Sequence, residues 1–265
     1  NRADARVIKN RIVDSFTEAM RNESVETQKR LLHFAIVGGG ATALELAGEL
    51  TEFIAEELSD TFPAVAKYAR LSLLQGNERL LPRADPWFDR RAREILARRM
   101  RVNVYCNTRV SEVRPDGVSV GGEFYPAGMV VWAAGVKARE VPLRAEKAPV
   151  FESRSRRVKV NNFLHLPDDE RVFVAGDQAW IWDREHEQPY PMRAQFAVRE
   201  GFHVARNIAR ALAGKQMIAF SWRDKGMILS LGHGSALASV FGLHLSGLPA
   251  WLLHRAAYLM NVIGL

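Results

Sequence analysis

Three consecutive glycines, Gly38-Gly39-Gly40, stand between an apolar run, Phe34-Ala35-Ile36-Val37, and a segment with helical periodicity that opens Ala41-Thr42-Ala43-Leu44-Glu45-Leu46. Glycines placed between a strand and a helix leave main-chain N–H groups uncovered at the helix N-terminus, where an anion such as a pyrophosphate can bind. The spacing assigns Gly38 to the tight turn and Gly40 to the close approach of backbone to phosphate. Ala43 takes the third position, where a small side chain lets helix and strand pack closely. A Gly-x-Gly-x-x-Ala run also suits a plain glycine-rich turn; the strand before it and the helix after it favour the nucleotide reading. Glu45, five positions after Gly40, sits near the helix start, where the helix dipole stabilises a carboxylate. An ordinary helix-start acid is its alternative reading.

Other residue groupings are less suggestive. Gln195 and Arg199 lie four apart, so on a helix both face one site; the alternative is a polar, solvated helix face. The single cysteine, Cys106, allows no internal disulfide and no Cys-x-x-Cys pair. Glu185-His186-Glu187 lacks partners at metal-ligand spacing and reads as a loop, so no metal is expected. There is no Gly-x-Ser-x-Gly elbow for hydrolase chemistry. Basic runs at Arg154-Ser155-Arg156-Arg157 and along Arg90 to Arg101 are not interleaved with aromatic residues, so they read as solvated faces and no nucleic acid is expected.

The elements that must position these groups follow from periodicity. Arg2 to Arg30 reads as one amphipathic helix leading into the strand before the glycines. The helix after the glycines runs to about Leu58, and Leu71-Ser72-Leu73-Leu74 is a second strand. Asp85-Pro86 caps a helix reaching about Arg101, and Val102 to Tyr105 is a third strand. Arg109 to Tyr125 alternates around Pro115-Asp116-Gly117 and Gly121-Gly122 as an antiparallel meander, and Met129 to Gly135 is a buried strand ending in glycine. Together they make a Rossmann-like α/β unit with a meander inserted before its last strand. The 265 residues are 48% hydrophobic, enough for one large or two modest domains. The net charge of +7 suits an anionic surface and also suits many plain soluble proteins. No apolar run is long enough for a spanning helix.

That order, closing in Val131-Trp132-Ala133-Ala134-Gly135, resembles the nicotinamide half of the two-dinucleotide-domain flavoprotein reductases. Arg171-Val172-Phe173-Val174-Ala175-Gly176-Asp177 resembles their second flavin fingerprint, a strand ending in Gly-Asp. Ala194-Gln195-Phe196-Ala197-Val198-Arg199-Glu200-Gly201 and Asp224-Lys225-Gly226 are similar to the tail of the type II NADH dehydrogenases, single-chain NAD(P)H:quinone oxidoreductases. The resemblance implies FAD and NAD(P)H as cofactors, with hydride passing to the flavin and electrons on to a quinone. It places Gly38, Gly40, Ala41 and Thr42 at the nucleotide pyrophosphate, Gly135 beside the nucleotide, and Gly176 and Asp177 at the flavin. Glu45, Gln195, Arg199 and Lys225 would be catalytic, with Ala194 and Gln195 also touching cofactor. Gln75 stands where the family commonly has an acid for the adenine ribose, and Arg199 where it commonly has glutamine. Both departures bear on specificity.

The expected organisation is a connecting helix over 1–30, a nucleotide-binding domain over 31–149, the C-terminal half of a flavin domain over 150–215 and a quinone- and membrane-associated segment over 216–265. The first flavin loop of the family is not found in this sequence, and a first residue of Asn reads as an incomplete chain. From Ala236 onward the tail is apolar but interrupted by His244, Pro249, His254 and Arg255, which suggests a helix lying on the membrane surface; a core or dimer helix is the alternative. The expected location is peripheral, on the cytoplasmic face of the cell membrane, and a homodimer is possible. Two competing functions stand beside this one. A flavoprotein disulfide reductase is weakened by the absent histidine-proline motif, and a non-catalytic nucleotide-binding module would be separated from an enzyme by its visible spectrum.

Overall fold

The computed structural model describes residues 2–139, 141, 147–224 and 226–263, the side chains of 261–263 excepted. Contacts divide the chain into two compact units, Asn1–Gly135 together with Lys225–Leu265, and Val136–Asp224.

The first unit is built on a four-stranded parallel sheet of β1 (His33–Val37), β2 (Arg70–Leu74), β3 (Asn103–Tyr105) and β7 (Met129–Trp132), in the order β3-β2-β1-β7. Alternation along β1 explains its two covered faces, since successive side chains of a strand point to opposite sides. Phe34 and Ile36 join Leu71 and Leu73 in the main core, while Ala35 and Val37 join Leu74 in a smaller one. Helices α1 (Arg2–Met20), α2 (Val25–Leu31), α3 (Ala41–Glu52) and α4 (Pro86–Arg98) contribute to the main core. On α1 the buried residues Ile12, Phe16 and Ala19 recur at helical spacing, and the Phe16 ring stacks on Phe34 with centroids 6.3 Å apart. Emptying such a fully buried site, as in Phe16→Ala, costs about 3–5 kcal/mol.

The smaller core is covered by the meander β4 (Val110–Arg114), β5 (Gly117–Val120) and β6 (Glu123–Pro126), through Val118 and Ala127. α4 begins as its sequence dictates: the Asp85 carboxylate accepts the Trp87 amide at 2.7 Å and Pro86 fills the first turn. Asp89 then accepts the Leu80 amide at 2.8 Å, tying down the loop after β2.

Two expectations of continuous helix need correction. The 2–30 segment breaks after Met20, because Ser24 caps a separate α2 by accepting the Thr27 amide at 3.3 Å. After Glu52 the helical run goes on to Leu58, but as a wider π-type winding. The tail departs further. Residues 236–246 are strands: β14 (Gly226–Ser230), β15 (Ala236–Val240) and β16 (Leu243–Ser246) form an antiparallel sheet, and only Leu248–Ile263 is helix. Leu229 and Leu237 from this sheet, with Leu231 just beyond β14, join the main core, so it is part of the unit and not an appendage. An apolar run with interruptions is compatible with either period, and burial against α3 selected the strand.

In the second unit, β8 (Val158–Lys159) pairs in parallel with β11 (Ala179–Trp180), β9 (His165–Leu166) pairs antiparallel with β10 (Asp169–Phe173), and β12 (Trp182–Asp183) pairs with β13 (Gln188–Pro189). A 19-residue helix, α5 (Ala194–Leu212), packs Phe196 with Leu164, Ile181, Tyr190 and Phe220. The strand expected over 171–175 starts earlier, at Asp169, and ends at Phe173; Val174 and Ala175 then lead into the turn at Gly176–Gln178. The helix following the tail sheet, Leu248–Ile263, is α6. Among the described residues no helix is long and apolar enough to cross a membrane.

Candidate functional site

In the sheet, β2 and β3 lie on one side of β1 and β7 on the other. The chain order therefore reverses between β1 and β7, and open α/β sheets bind ligands at the carboxyl ends of strands at such a switch point. The glycine loop sits there. Gly38 takes φ +126°, and a Cβ on it would overlap the Ala133 carbonyl, so this glycine lets the end of β7 close on the loop. Gly40 differs: a Cβ there would meet nothing within 4 Å. It caps α3 with no side-chain hydrogen bond, and Leu44 to the Gly40 carbonyl, at 3.1 Å, is the first helical bond. The opening amides of α3, at Ala41 and Thr42, thus have no side-chain cap, and Thr42 is exposed. Gly135, at the far end of β7, is exposed with open space around its Cα. Uncapped amides beside open space fit a dinucleotide pyrophosphate.

Gln75 lies beside this loop but is not free to face a ribose. It is 7% exposed, its Nε2 donates to the Arg79 carbonyl at 2.9 Å, and its stem packs under Gly39. Glu45 lies one turn into α3, half-buried. Burial pushes its carboxyl above the usual range, the Ser230 backbone amide that it accepts holds it down, and nearby Glu49 adds to the rise. It lines a cavity of about 420 Å³ with Glu49, Glu52, His233, Trp251 and Arg255. Sequence reasoning missed the tail residues of this wall. Only the strands β14 and β15 bring them back to α3, and nothing in local periodicity encodes that return.

In the second unit, the Gly176–Asp177 turn holds Gly176 at φ +69° with Asp177 exposed. The Gly176 amide donates to the Glu200 carboxylate at 2.6 Å. Glu200 is 3% exposed, and burial pushes its carboxyl up to about 7, against the pull of the Gly176 amide and Arg157. The signal for Glu200 was present in the sequence, because it follows the buried Phe196 by four positions on the inner face of α5.

At the start of the same helix, Gln195 Nε2 donates to Asp224 Oδ1 at 2.9 Å and Arg193 pairs with Asp224 Oδ2 at 2.7 Å. The Arg199 guanidinium lies 4.6 Å above the Trp222 ring. Gln195 and Arg199 are therefore brought together with the 222–224 segment. Ala194 is exposed at the first turn of α5. Lys225 lies outside the described residues. Among the described residues no group of three or more His, Cys, Asp or Glu side chains could hold a metal ion.

The chain is 30% identical to the type II NADH:quinone oxidoreductase of Mycobacterium tuberculosis, over 98% of this chain and 57% of that protein. It is also 30% identical to a probable NADH dehydrogenase of Dictyostelium discoideum, over 97% of this chain and 56% of that protein. The chain thus spans somewhat more than half the length of these relatives. A solved structure of NDH2 from Plasmodium falciparum in complex with NADH matches with a TM-score of 0.80 at 18% identity, covering 96% of this chain and 67% of that one, a likeness of fold. The model of the pyridine nucleotide-disulphide oxidoreductases matches residues 4–201, from α1 into α5, and with most of its length so matched the chain belongs to that family.

Proposed function

We infer that this chain forms part of a flavin-dependent NAD(P)H:quinone oxidoreductase of the type II NADH dehydrogenase kind. The observation that carries this reading is the placement of Glu45, one turn beyond an uncapped dinucleotide cradle and in a cavity walled by the tail. The names of the relatives at 30% identity support the acceptor. NAD(P)H binds at the α3 N-terminus, where Gly40 admits the pyrophosphate and the Ala41 and Thr42 amides donate to it. Asp177, on the exposed turn after β10, accepts from a flavin hydroxyl. A bound flavin would take hydride from the nicotinamide and pass two electrons to a quinone. Glu45, whose carboxyl burial raises, is the group we assign to proton delivery to the quinone. The resemblance gives Gln195 and Arg199, held to Asp224 and Trp222, a part in handling the acceptor, and Lys225 likewise.

Residues 31–149 serve the nicotinamide, 150–215 the flavin and 216–265 the quinone and membrane in this reading. On the exposed side of α6, Leu248, Leu252 and Leu259 recur at helical spacing, with Phe241 and Leu243 exposed on the preceding hairpin. These, with the +7 charge, suit peripheral binding to an anionic bilayer, here the cytoplasmic face of the cell membrane.

Rapid mixing of the flavin-loaded protein with NADH, and then with quinone, tests the assignment. Glu45→Gln is expected to slow reoxidation by quinone about tenfold or more while leaving reduction by NADH nearly unchanged. Equal loss in both half-reactions would remove Glu45 from the acceptor site.

A further inference from the structure

We propose that Glu200 is a positioning residue that sets the Gly176–Asp177 turn for the cofactor by holding the Gly176 amide, and that its protonation tunes that hold. This deepens the flavin reading of the turn and rests on it. Gly176 is in a left-handed conformation, φ +69°, between the end of β10 and a single tight turn through Gln178. Among the described residues, one side-chain bond reaches its amide, the 2.6 Å contact with Glu200. That carboxylate comes from the middle of α5, a helix anchored independently by Phe196 in the core and by Asn207, whose amide clasps Ile218 through both its oxygen and its nitrogen, each at 2.9 Å. A long rigid helix therefore transmits its position to a short turn. Moving the carboxylate would move Asp177, which adjoins the held glycine.

Among the described residues, two charged groups act on Glu200. Arg157, 6% exposed, comes from the strand β8 side and spans the Ala179 and Tyr190 carbonyls at 3.2 and 2.9 Å. Its charge favours the ionised carboxylate, whereas Asp177 on the turn itself opposes it. Tyr190 is a further titratable group on the same side: burial raises its hydroxyl most, and the Glu200 charge adds to the rise. A carboxylate accepts an N–H more strongly than a protonated carboxyl does, so ionisation of Glu200 tightens the turn.

The test uses amide spectra of the isotopically labelled chain, first without any cofactor. The Gly176 amide proton is expected to move downfield as pH rises, with a midpoint near 7. Glu200→Gln should abolish that titration yet keep slow exchange of the amide, since its side-chain oxygen still accepts. Glu200→Ala should make the amide exchange at least about tenfold faster, the loss expected for one charge-assisted bond. Titration with FAD is followed on the same spectra. Glu200→Ala is expected to weaken the FAD-induced shifts of Gly176 and Asp177 about tenfold in apparent Kd, and Glu200→Gln to restore most of the affinity. A Gly176 amide indifferent to pH in the wild type, or equal FAD affinity in the wild type and Glu200→Ala, would overturn the proposal. FAD that shifts no amide of residues 174–178 would remove the flavin assignment of this turn, and the proposal with it, even where the pH titration is seen. Should Glu200→Ala not fold, judged by loss of dispersion across all amides, Glu200→Gln alone decides: a Gly176 titration that survives in it refutes the coupling.

Discussion

Gly48 of α3 lies against Leu231: a Cβ added to Gly48 would stand 2.6 Å from the Leu231 carbonyl carbon. The helix that follows the nucleotide loop therefore touches the end of the tail sheet backbone to backbone. Glu45 and Ser230 meet one turn earlier along the same seam. A glycine inside a helix costs about 1 kcal/mol relative to alanine, so its presence is explained by this approach and not by helix formation.

Gly48→Ala is accordingly expected to destabilise the protein by about 1–3 kcal/mol despite its better helix propensity, because the overlap forces α3 and β14 apart. Urea unfolding measures it. A variant as stable as the wild type, or more so, would show that α3 does not depend on this approach.

The two loop glycines should separate by phenotype. Gly38→Ala meets both an unfavourable φ of +126° and the Ala133 carbonyl, and should lower stability by about 2 kcal/mol or more. Gly40→Val fills open space at an ordinary φ of −83°. It should leave the melting temperature nearly unchanged and weaken NADH binding about tenfold or more, because the branched side chain occupies the approach to the α3 amides. Calorimetric titration with NADH decides it, and undiminished affinity would place the pyrophosphate elsewhere.

The parallel sheet was legible because its strands carry their own signals. Phe34 to Val37 and Leu71 to Leu74 are apolar runs bounded by glycine or turn residues, and Asp85-Pro86 announces its helix. The tail was not legible in the same way. Leu237, Val240, Leu243 and Leu245 read as either period, and pairing of β15 with Gly226–Ser230 and with β16 decided between them. The glycine loop was found by its spacing, whereas the Gly176–Glu200 bond joins residues 24 apart, and no local pattern encodes that pair. Gln75 shows a further limit: the resemblance sets it at the adenine ribose, but its side-chain amide is spent on the Arg79 carbonyl.

Gln75 nonetheless leaves no carboxylate at the end of β2 to repel a 2′-phosphate. The ratio of kcat/KM for NADH over NADPH should therefore stay below about tenfold. Gln75→Glu should raise it by about one to two orders of magnitude and also lower stability by about 1–3 kcal/mol, since the new carboxylate opposes the Arg79 carbonyl. Strong rejection of NADPH by the wild type, unaltered in the variant, would detach Gln75 from nucleotide choice.

Glu200 makes stability depend on pH with a definite sign. Its carboxyl is raised in the fold from an ordinary 4.5 to about 7, so the folded state disfavours the ionised form. Stability is expected to fall as pH rises from about 4.5 to about 7 and then to level off, by about 3 kcal/mol in all. Glu200→Gln should flatten this segment of the profile and gain relative to the wild type above pH 7. Urea midpoints across pH 4–8 give the answer, and parallel profiles for the two proteins would contradict the assignment.

The exposed apolar face of α6 bears on where the protein works. Cutting the chain before Gly234 would remove β15 and β16, whose Ala236, Leu237 and Ala238 are fully buried, and so would unfold the unit. A cut after Gly247 removes α6 alone. That truncation takes away Ala250, which packs on Ala236 and Ala238, and is expected to cost about 1–3 kcal/mol while leaving the sheet paired. Intact protein should float with vesicles containing anionic lipid, less so as salt is raised, because about 1 kcal/mol per nearby basic residue comes from the surface potential. Neutral vesicles should recover less of it. The truncated protein should stay at the bottom of the gradient with both, since Leu248, Leu252 and Leu259 no longer enter the headgroup boundary. Equal flotation of the two would assign membrane binding to another surface. Failure of the intact protein to float at low salt would leave the exposed leucines of α6 without a membrane role.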